Sequence, residues 1–185
     1  MKVFLRNVRL SFNNLFEPKE FTPGDGKPRY SARFLVEPGS ENDVKIQEAI
    51  KAEADLAMGK KSEMFLKQCA GNANKYCYLD GDLKEYEGHA GKKYIACHRK
   101  GSDGRPTVID RDRTPLKLND GKPYAGCYVN AFVTIYIQSD GQFPGVRASF
   151  TGVQFSKDGD AFSGASAASA EDFDDVSNTE EDDLM

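Results

Sequence analysis

Residues 127–138 read Cys-Tyr-Val-Asn-Ala-Phe-Val-Thr-Ile-Tyr-Ile-Gln, and their two faces alternate without a break. Cys127, Val129, Ala131, Val133, Ile135 and Ile137 form an apolar face. Tyr128, Asn130, Phe132, Thr134, Tyr136 and Gln138 form a mixed one. A period of two is that of a strand buried on one side, and no helix can share it. The run exceeds the usual strand length of roughly 3–10 residues. A strand this long is expected to coil, as strands do in small barrels.

Other segments repeat the pattern. In Arg29 to Glu37, Tyr30, Ala32, Phe34 and Val36 face one way, and Arg29, Ser31, Arg33 and Leu35 the other. Met1 to Phe12 alternates with a change of register, for which Asn7 marks a bulge. Loops begin at Glu17-Pro18-Lys19 and continue through the Pro- and Gly-rich 22–28. Residues 93–99 and 107–110 read as extended, and a last strand covers about 146–155, with Gly152 at a bulge or close approach. One stretch breaks the β pattern. Ser40 is an N-cap, Glu41 and Asp43 suit a first helical turn, and Gly59 is a stop. The predicted helix over 41–57 has Val44, Ile46, Ala49, Ile50 and Leu56 as its apolar stripe, and a second short helix includes Met64, Phe65 and Leu66. With no βαβ alternation, the expected fold is mainly β with a helical insertion: an OB-fold-like, five-stranded, partly open barrel.

The net charge of −4 hides a partition. Residues 1–157 hold all 25 Lys and Arg against 19 Asp and Glu, a net +6. Residues 158–185 hold ten acidic residues and no Lys or Arg. We therefore divide the chain into a binding domain, 1–157, and a flexible acidic tail, 158–185, whose low apolar content predicts disorder. No apolar run approaches the roughly 20 residues that span a bilayer. Lys2, Arg6 and Arg9 interrupt the N-terminal apolar residues, so no signal peptide is expected and the chain is assigned to the cytoplasm.

A basic body calls for a polyanion. Lys27, Arg29 and Arg33 form one candidate cluster, and Lys93, Arg99, Lys100, Arg105, Arg111 and Arg113 belong to another. Tyr94 and His98 fall within the second. Tyr128, Phe132 and Tyr136 recur every fourth residue, placing rings about 13 Å apart, a spacing suited to stacking unpaired bases. The same face could instead pack under the helix or form a homodimer interface, and the sequence leaves these open.

Catalytic and metal readings find little support. Gly24-Asp25-Gly26-Lys27 lacks phosphate-loop spacing. Asp110 and Asp112 alternate with Arg111 and Arg113 and have no third ligand at a persuasive spacing. Cys97 and His98 are strand neighbours that point to opposite faces. Cys69, Cys77, Cys97 and Cys127 are too widely spaced for the tight pairs of a zinc site with His89 or His98. We assign no catalytic residue, metal or cofactor.

The tail punctuates its acids with apolar residues. Phe173 lies beside Asp174 and Asp175, and Glu180, Glu181, Asp182 and Asp183 precede Leu184 and Met185. Such a segment suits docking on a basic groove of a partner, or covering the body's own.

Gly126-Cys127-Tyr128-Val129-Asn130-Ala131, Pro144-Gly145-Val146-Arg147-Ala148, Gly152-Val153-Gln154-Phe155 leading into Asp158-Gly159-Asp160-Ala161-Phe162, and Val8-Arg9-Leu10-Ser11-Phe12 resemble the bacteriophage single-stranded DNA-binding proteins of OB-fold type. The resemblance implies sequence-independent binding of single-stranded DNA during phage replication or recombination in an infected bacterium. It also implies an acidic C-terminus that contacts replication or recombination proteins. Relatives whose tails end in an aromatic residue differ from this chain, where Phe173 is the substitute. The competing expectation is a phage structural or protein-interaction module whose basic body binds protein or duplex DNA.

Overall fold

The computed structural model describes residues 1–162. Seven strands form one sheet: β1 (Lys2–Lys19), β2 (Arg29–Val36), β3 (Tyr78–Asp80), β4 (Lys93–Lys100), β5 (Thr107–Ile109), β6 (Tyr128–Gln138) and β7 (Gly145–Lys157). Their order is β3-β4-β2-β1-β6-β7-β5. All pairs are antiparallel except β5 with β7. The expected count of five is thus corrected to seven. Both edge strands are three residues long: β5 falls in 107–110, which reads as extended, and β3 comes from a stretch dense in turn residues. The sheet does not close into a ring.

β1 runs past its expected end at Phe12 because it serves two partners. Lys2 to Arg9 pair with β6, and Arg9 to Lys19 pair with β2. Two irregularities let it turn. Asn7, at φ 51°, takes the left-handed conformation that Asn tolerates, and its N–H donates to Asn130 Oδ1 at 2.9 Å. The buried positions then switch from Val3 and Leu5 to Val8 and Leu10. A second shift lies between Leu10 and Phe12, leaving Ser11 as the extra residue. β7 behaves alike: Val146, Ala148 and Phe150 give way to Val153 and Phe155 across the irregularity at 151–152.

The inner faces of β1, β2, β4, β6 and β7 meet in one core. The helical insertion closes it with α1 (Glu41–Met58) and α2 (Ser62–Cys69). Ser40 caps α1 by accepting from Asp43 N–H at 3.3 Å. Ile46, Ala49 and Ile50 of the expected stripe are buried, whereas Val44 and Leu56 are exposed and Asp43 and Ala54 face inward in their place. Asp43 is tolerated there because Gly39 N–H, Gln47, the Tyr78 hydroxyl and Lys93 all donate to its carboxylate.

The gap between β4 and β7 is bridged by residues 75–77. Ala96 N–H on β4 donates to Cys77 O at 2.9 Å, and Val146 N–H on β7 donates to Lys75 O at 2.8 Å. A Cβ on Gly145 would lie 2.1 Å from Lys75 O, so only glycine permits this approach.

Candidate nucleic-acid interface

Outside that seam lies a groove of about 1060 Å³. Its floor is the outward face of β2 and β4, where Arg29 pairs with Lys100, Ser31 with His98 and Arg33 with Ala96. The Gly-rich loop before β2 contributes Lys27, and the loop after β3 contributes Lys84 and Tyr86. Tyr76 comes from the seam, Tyr136 and Gln138 from β6, and Arg147 from β7. No Asp or Glu is among its described lining residues. Lys27, Arg29, Arg33, Lys84, Lys100 and Arg147 make no ion pair among the described residues. The groove is therefore an uncompensated cationic surface interleaved with rings.

Arg33 is the most constrained of these cations. Its guanidinium carbon lies 4.4 Å from the Tyr94 ring centre, 4.5 Å from that of Phe12 and 5.3 Å from that of Tyr86. Its Nη1 donates to His89 Nε2 at 3.4 Å, while His89 Nδ1–H donates to the Glu87 carbonyl at 3.0 Å. That second bond selects the tautomer that leaves Nε2 free to accept. His89 is fully buried, and burial, with Arg33 nearby, lowers its pKa, which keeps it neutral. Burial also lowers the pKa of Arg33, but a guanidinium starts so high that it remains charged. A partly desolvated cation held by rings keeps its full attraction for phosphate.

Of the sequence candidates, Lys27, Arg29, Arg33, Tyr94, Lys100 and Tyr136 come together here. Tyr94 is 1% exposed, so its ring supports Arg33 instead of offering a free stacking face. Others lie elsewhere. Lys93 sits 3.3 Å from Asp43. Arg99 bonds the Gly104 and Asp103 carbonyls, and Arg105 bonds that of Leu116. Arg111 lies over Phe155, and Arg113 occupies a left-handed turn position. Tyr128 lies against Arg9 and Lys157, whose charged groups are 5.7 and 4.6 Å from its ring centre. Phe132 packs on Phe4, ring centres 4.5 Å apart, beside a separate apolar recess of about 360 Å³. Tyr76, Lys84, Tyr86 and Arg147 join the groove without having been sequence candidates. For Arg147 a signal existed, since Val146 and Ala148 alternate with it.

The four cysteines are buried and free of disulfides. Burial pushes Cys77 up to about 12 and Cys127 up to about 11, so their thiolates are not available at neutral pH. Among the described residues no three His, Cys, Asp or Glu gather as metal ligands. No described helix is long and apolar enough to cross a membrane.

After β7 the chain stays on the body as far as the description runs. Tyr124 OH donates to Asp158 Oδ1 at 2.7 Å, Arg9 Nη2 donates to Asp160 O at 2.8 Å, and Phe162 N–H donates to Ala125 O at 2.9 Å. The Phe162 ring lies beside Gly88 and 4.3 Å from the Arg9 guanidinium carbon. The tail candidates Phe173, Asp174, Asp175, Glu180, Glu181, Asp182, Asp183, Leu184 and Met185 lie outside the described residues.

A family profile described as "Enterobacter phage Enc34, ssDNA-binding protein" matches residues 1–185. The chain belongs to this family. The Enc34 family is one of binding proteins, not of enzymes. A curated relative, "Putative protein p50" of Acyrthosiphon pisum secondary endosymbiont phage 1, is 46% identical over 190 residues, covering 100% of this chain and 99% of the relative. The fold is also that of the solved Enc34 protein in complex with ssDNA, with a TM-score of 0.71 at 22% identity, over 88% of this chain and 89% of that one. A second structure of the Enc34 protein gives a TM-score of 0.68 at 20% identity, covering 90% and 87%.

Proposed function

We propose that this chain binds single-stranded DNA without sequence preference in the groove between β2, β4 and the β6–β7 end, and that it acts in phage DNA replication or recombination. The carrying observation is the groove itself: six cations without a lining carboxylate, set among Tyr76, Tyr86, His98 and Tyr136. Cations supply the sequence-independent attraction to phosphate, and rings stack any base. The family match and the Enc34 complex with ssDNA support the same reading. The acidic residues of 163–185 serve as a docking segment for replication or recombination proteins and as a competitor for the groove. In support, Phe162 is anchored beside Gly88, in the loop that also contributes Lys84 and Tyr86 to the groove.

Fluorescence anisotropy with oligothymidine and a duplex of equal length tests this reading. We expect tighter binding to the single strand and a steep loss of affinity with salt. Preference for the duplex, or no binding to either, would favour a protein-interaction module instead. Truncation after Phe162 is expected to tighten oligothymidine binding, and unchanged affinity would remove the competition.

A further inference from the structure

His98 is the one imidazole lining the groove among the described residues. It projects from the outward face of β4, opposite Ser31 of β2. Its ring meets Phe21 edge-on at 5.2 Å, and Arg29 lies over that same Phe21 ring. The residue is exposed to the groove, and neither ring nitrogen has a hydrogen-bond partner among the described residues. The charges that reach it are cationic: Arg29, Arg33 and Arg147. Arg29 and Arg33 come from β2, Arg147 from β7, Lys100 from its own strand and Lys27 from the preceding loop. Tyr136 faces the groove from β6, and Asp103, in the turn after β4, is the acidic group whose charge reaches that tyrosine. The His98 ring opens to solvent on the groove side only; desolvation against the groove walls, and then the charges of Arg29, Arg33 and Arg147, lower its pKa to about 4, so the free protein holds it neutral.

Phosphate reverses this field. Each backbone phosphate brought among these guanidiniums carries a negative charge to within reach of an unpartnered ring nitrogen. Resting on the assignment of the groove to single-stranded DNA, we propose that His98 takes up a proton as the strand enters, and that the resulting imidazolium donates a hydrogen bond to a backbone phosphate. Binding then takes up close to one proton between the free and bound pKa values and only about a tenth of one at pH 7.5, so affinity rises as pH falls. If phosphate returns the imidazole to its ordinary pKa near 6.5, affinity gains about tenfold between pH 7.5 and 5.5. The gain falls mostly below pH 6.5 and saturates near the free-state value.

The test uses the full-length chain and oligothymidine, whose bases do not titrate in this range, at constant ionic strength. NMR titration of the His98 ring resonance is expected to give a pKa near 4 in the free protein and one raised by at least a unit in the complex. Anisotropy is expected to show wild-type affinity rising as pH falls, a flat response for His98→Gln, and for His98→Arg the low-pH wild-type affinity already at pH 7.5. An unchanged His98 pKa on binding, or a wild-type pH slope retained by His98→Gln, would overturn the proposal. If His98→Gln does not fold, the wild-type NMR comparison decides alone. Oligothymidine binding with no pH slope overturns only the role of His98, whereas no binding at any pH overturns the groove assignment as well.

Discussion

Arg33 owes its position to rings, not to a carboxylate. Phe12, Tyr86 and Tyr94 surround its guanidinium, and neutral His89 accepts from it. Lysine at this position keeps the charge but cannot stack as a plane. Arg33→Lys is therefore expected to weaken oligothymidine binding by about 1–2 kcal/mol while leaving the salt slope unchanged. A shallower slope would mean that the substitution lost a phosphate contact as well. Tyr136, 42% exposed, offers a free ring, and Tyr136→Ala is expected to cost about 1–3 kcal/mol of binding. Tyr128→Ala is expected to leave affinity unchanged, because Arg9 and Lys157 already cover that ring outside the groove. Equal losses in the two variants, read by anisotropy, would move the DNA path along β6. Alternation groups the two tyrosines because both lie on one face of one strand. It does not reveal that the eight-residue interval, about 26 Å along the strand, carries Tyr128 out of the groove.

At the scale of elements, two contacts hold the frame of the groove. The β4–β7 seam depends on Gly145, and Gly145→Ala forces a carbon against the Lys75 carbonyl. The expected cost is about 1–3 kcal/mol of stability, seen as a lower Tm, with weaker DNA binding as the groove wall shifts. An unchanged Tm would show that the seam is not rigid. The other contact is Asp43, which fixes α1 to the sheet. Burial alone raises its pKa, but bonds from Gly39, Gln47, Tyr78 and Lys93 outweigh this and hold it at about 2. Its folded-state value lies below the unfolded value near 3.9, so its contribution is present above about pH 4 and is lost as pH falls toward 2. Asp43→Asn is expected to remove about 2 kcal/mol at pH 7 by chemical denaturation, with the deficit shrinking at pH 3. A deficit independent of pH would assign the loss to packing. The ends of α1 are legible in Ser40 and Gly59, and the bulge of β1 in Asn7. The buried face of α1 is legible at its centre, in Ile46, Ala49 and Ile50, but not at Asp43, because a carboxylate that gathers four donors takes an inward position. The bulge at Ser11 also carries no glycine or asparagine to announce it.

For the whole molecule, charge segregation is legible in the amino-acid sequence alone: a +6 body and ten acids after residue 157. Which cations share one surface is not. Lys27, Arg29 and Arg33 lie close in sequence beside a Gly-rich loop, so alternation alone groups them. Lys84, Tyr86 and Arg147 join them only because the seam brings β7 and the loop after β3 to the edge of β4. Arg99 and Arg105 lie outside the groove and bond backbone carbonyls there, whereas Arg147 lines it while bonding the Phe143 carbonyl and Gln138 Oε1. The claim that this one groove binds single-stranded DNA is tested most directly by salt titration of oligothymidine affinity with two triple variants of the full-length chain. One replaces Arg29, Lys100 and Arg147 by Gln, and the other replaces Arg111, Arg113 and Lys117. With a slope of roughly 0.7 per phosphate contact on a single strand, the groove variant is predicted to lose affinity and to flatten the log–log salt slope by about 2. The second variant is predicted to match the wild type. A wild-type slope in the groove variant, with the loss appearing in the other, would contradict the account.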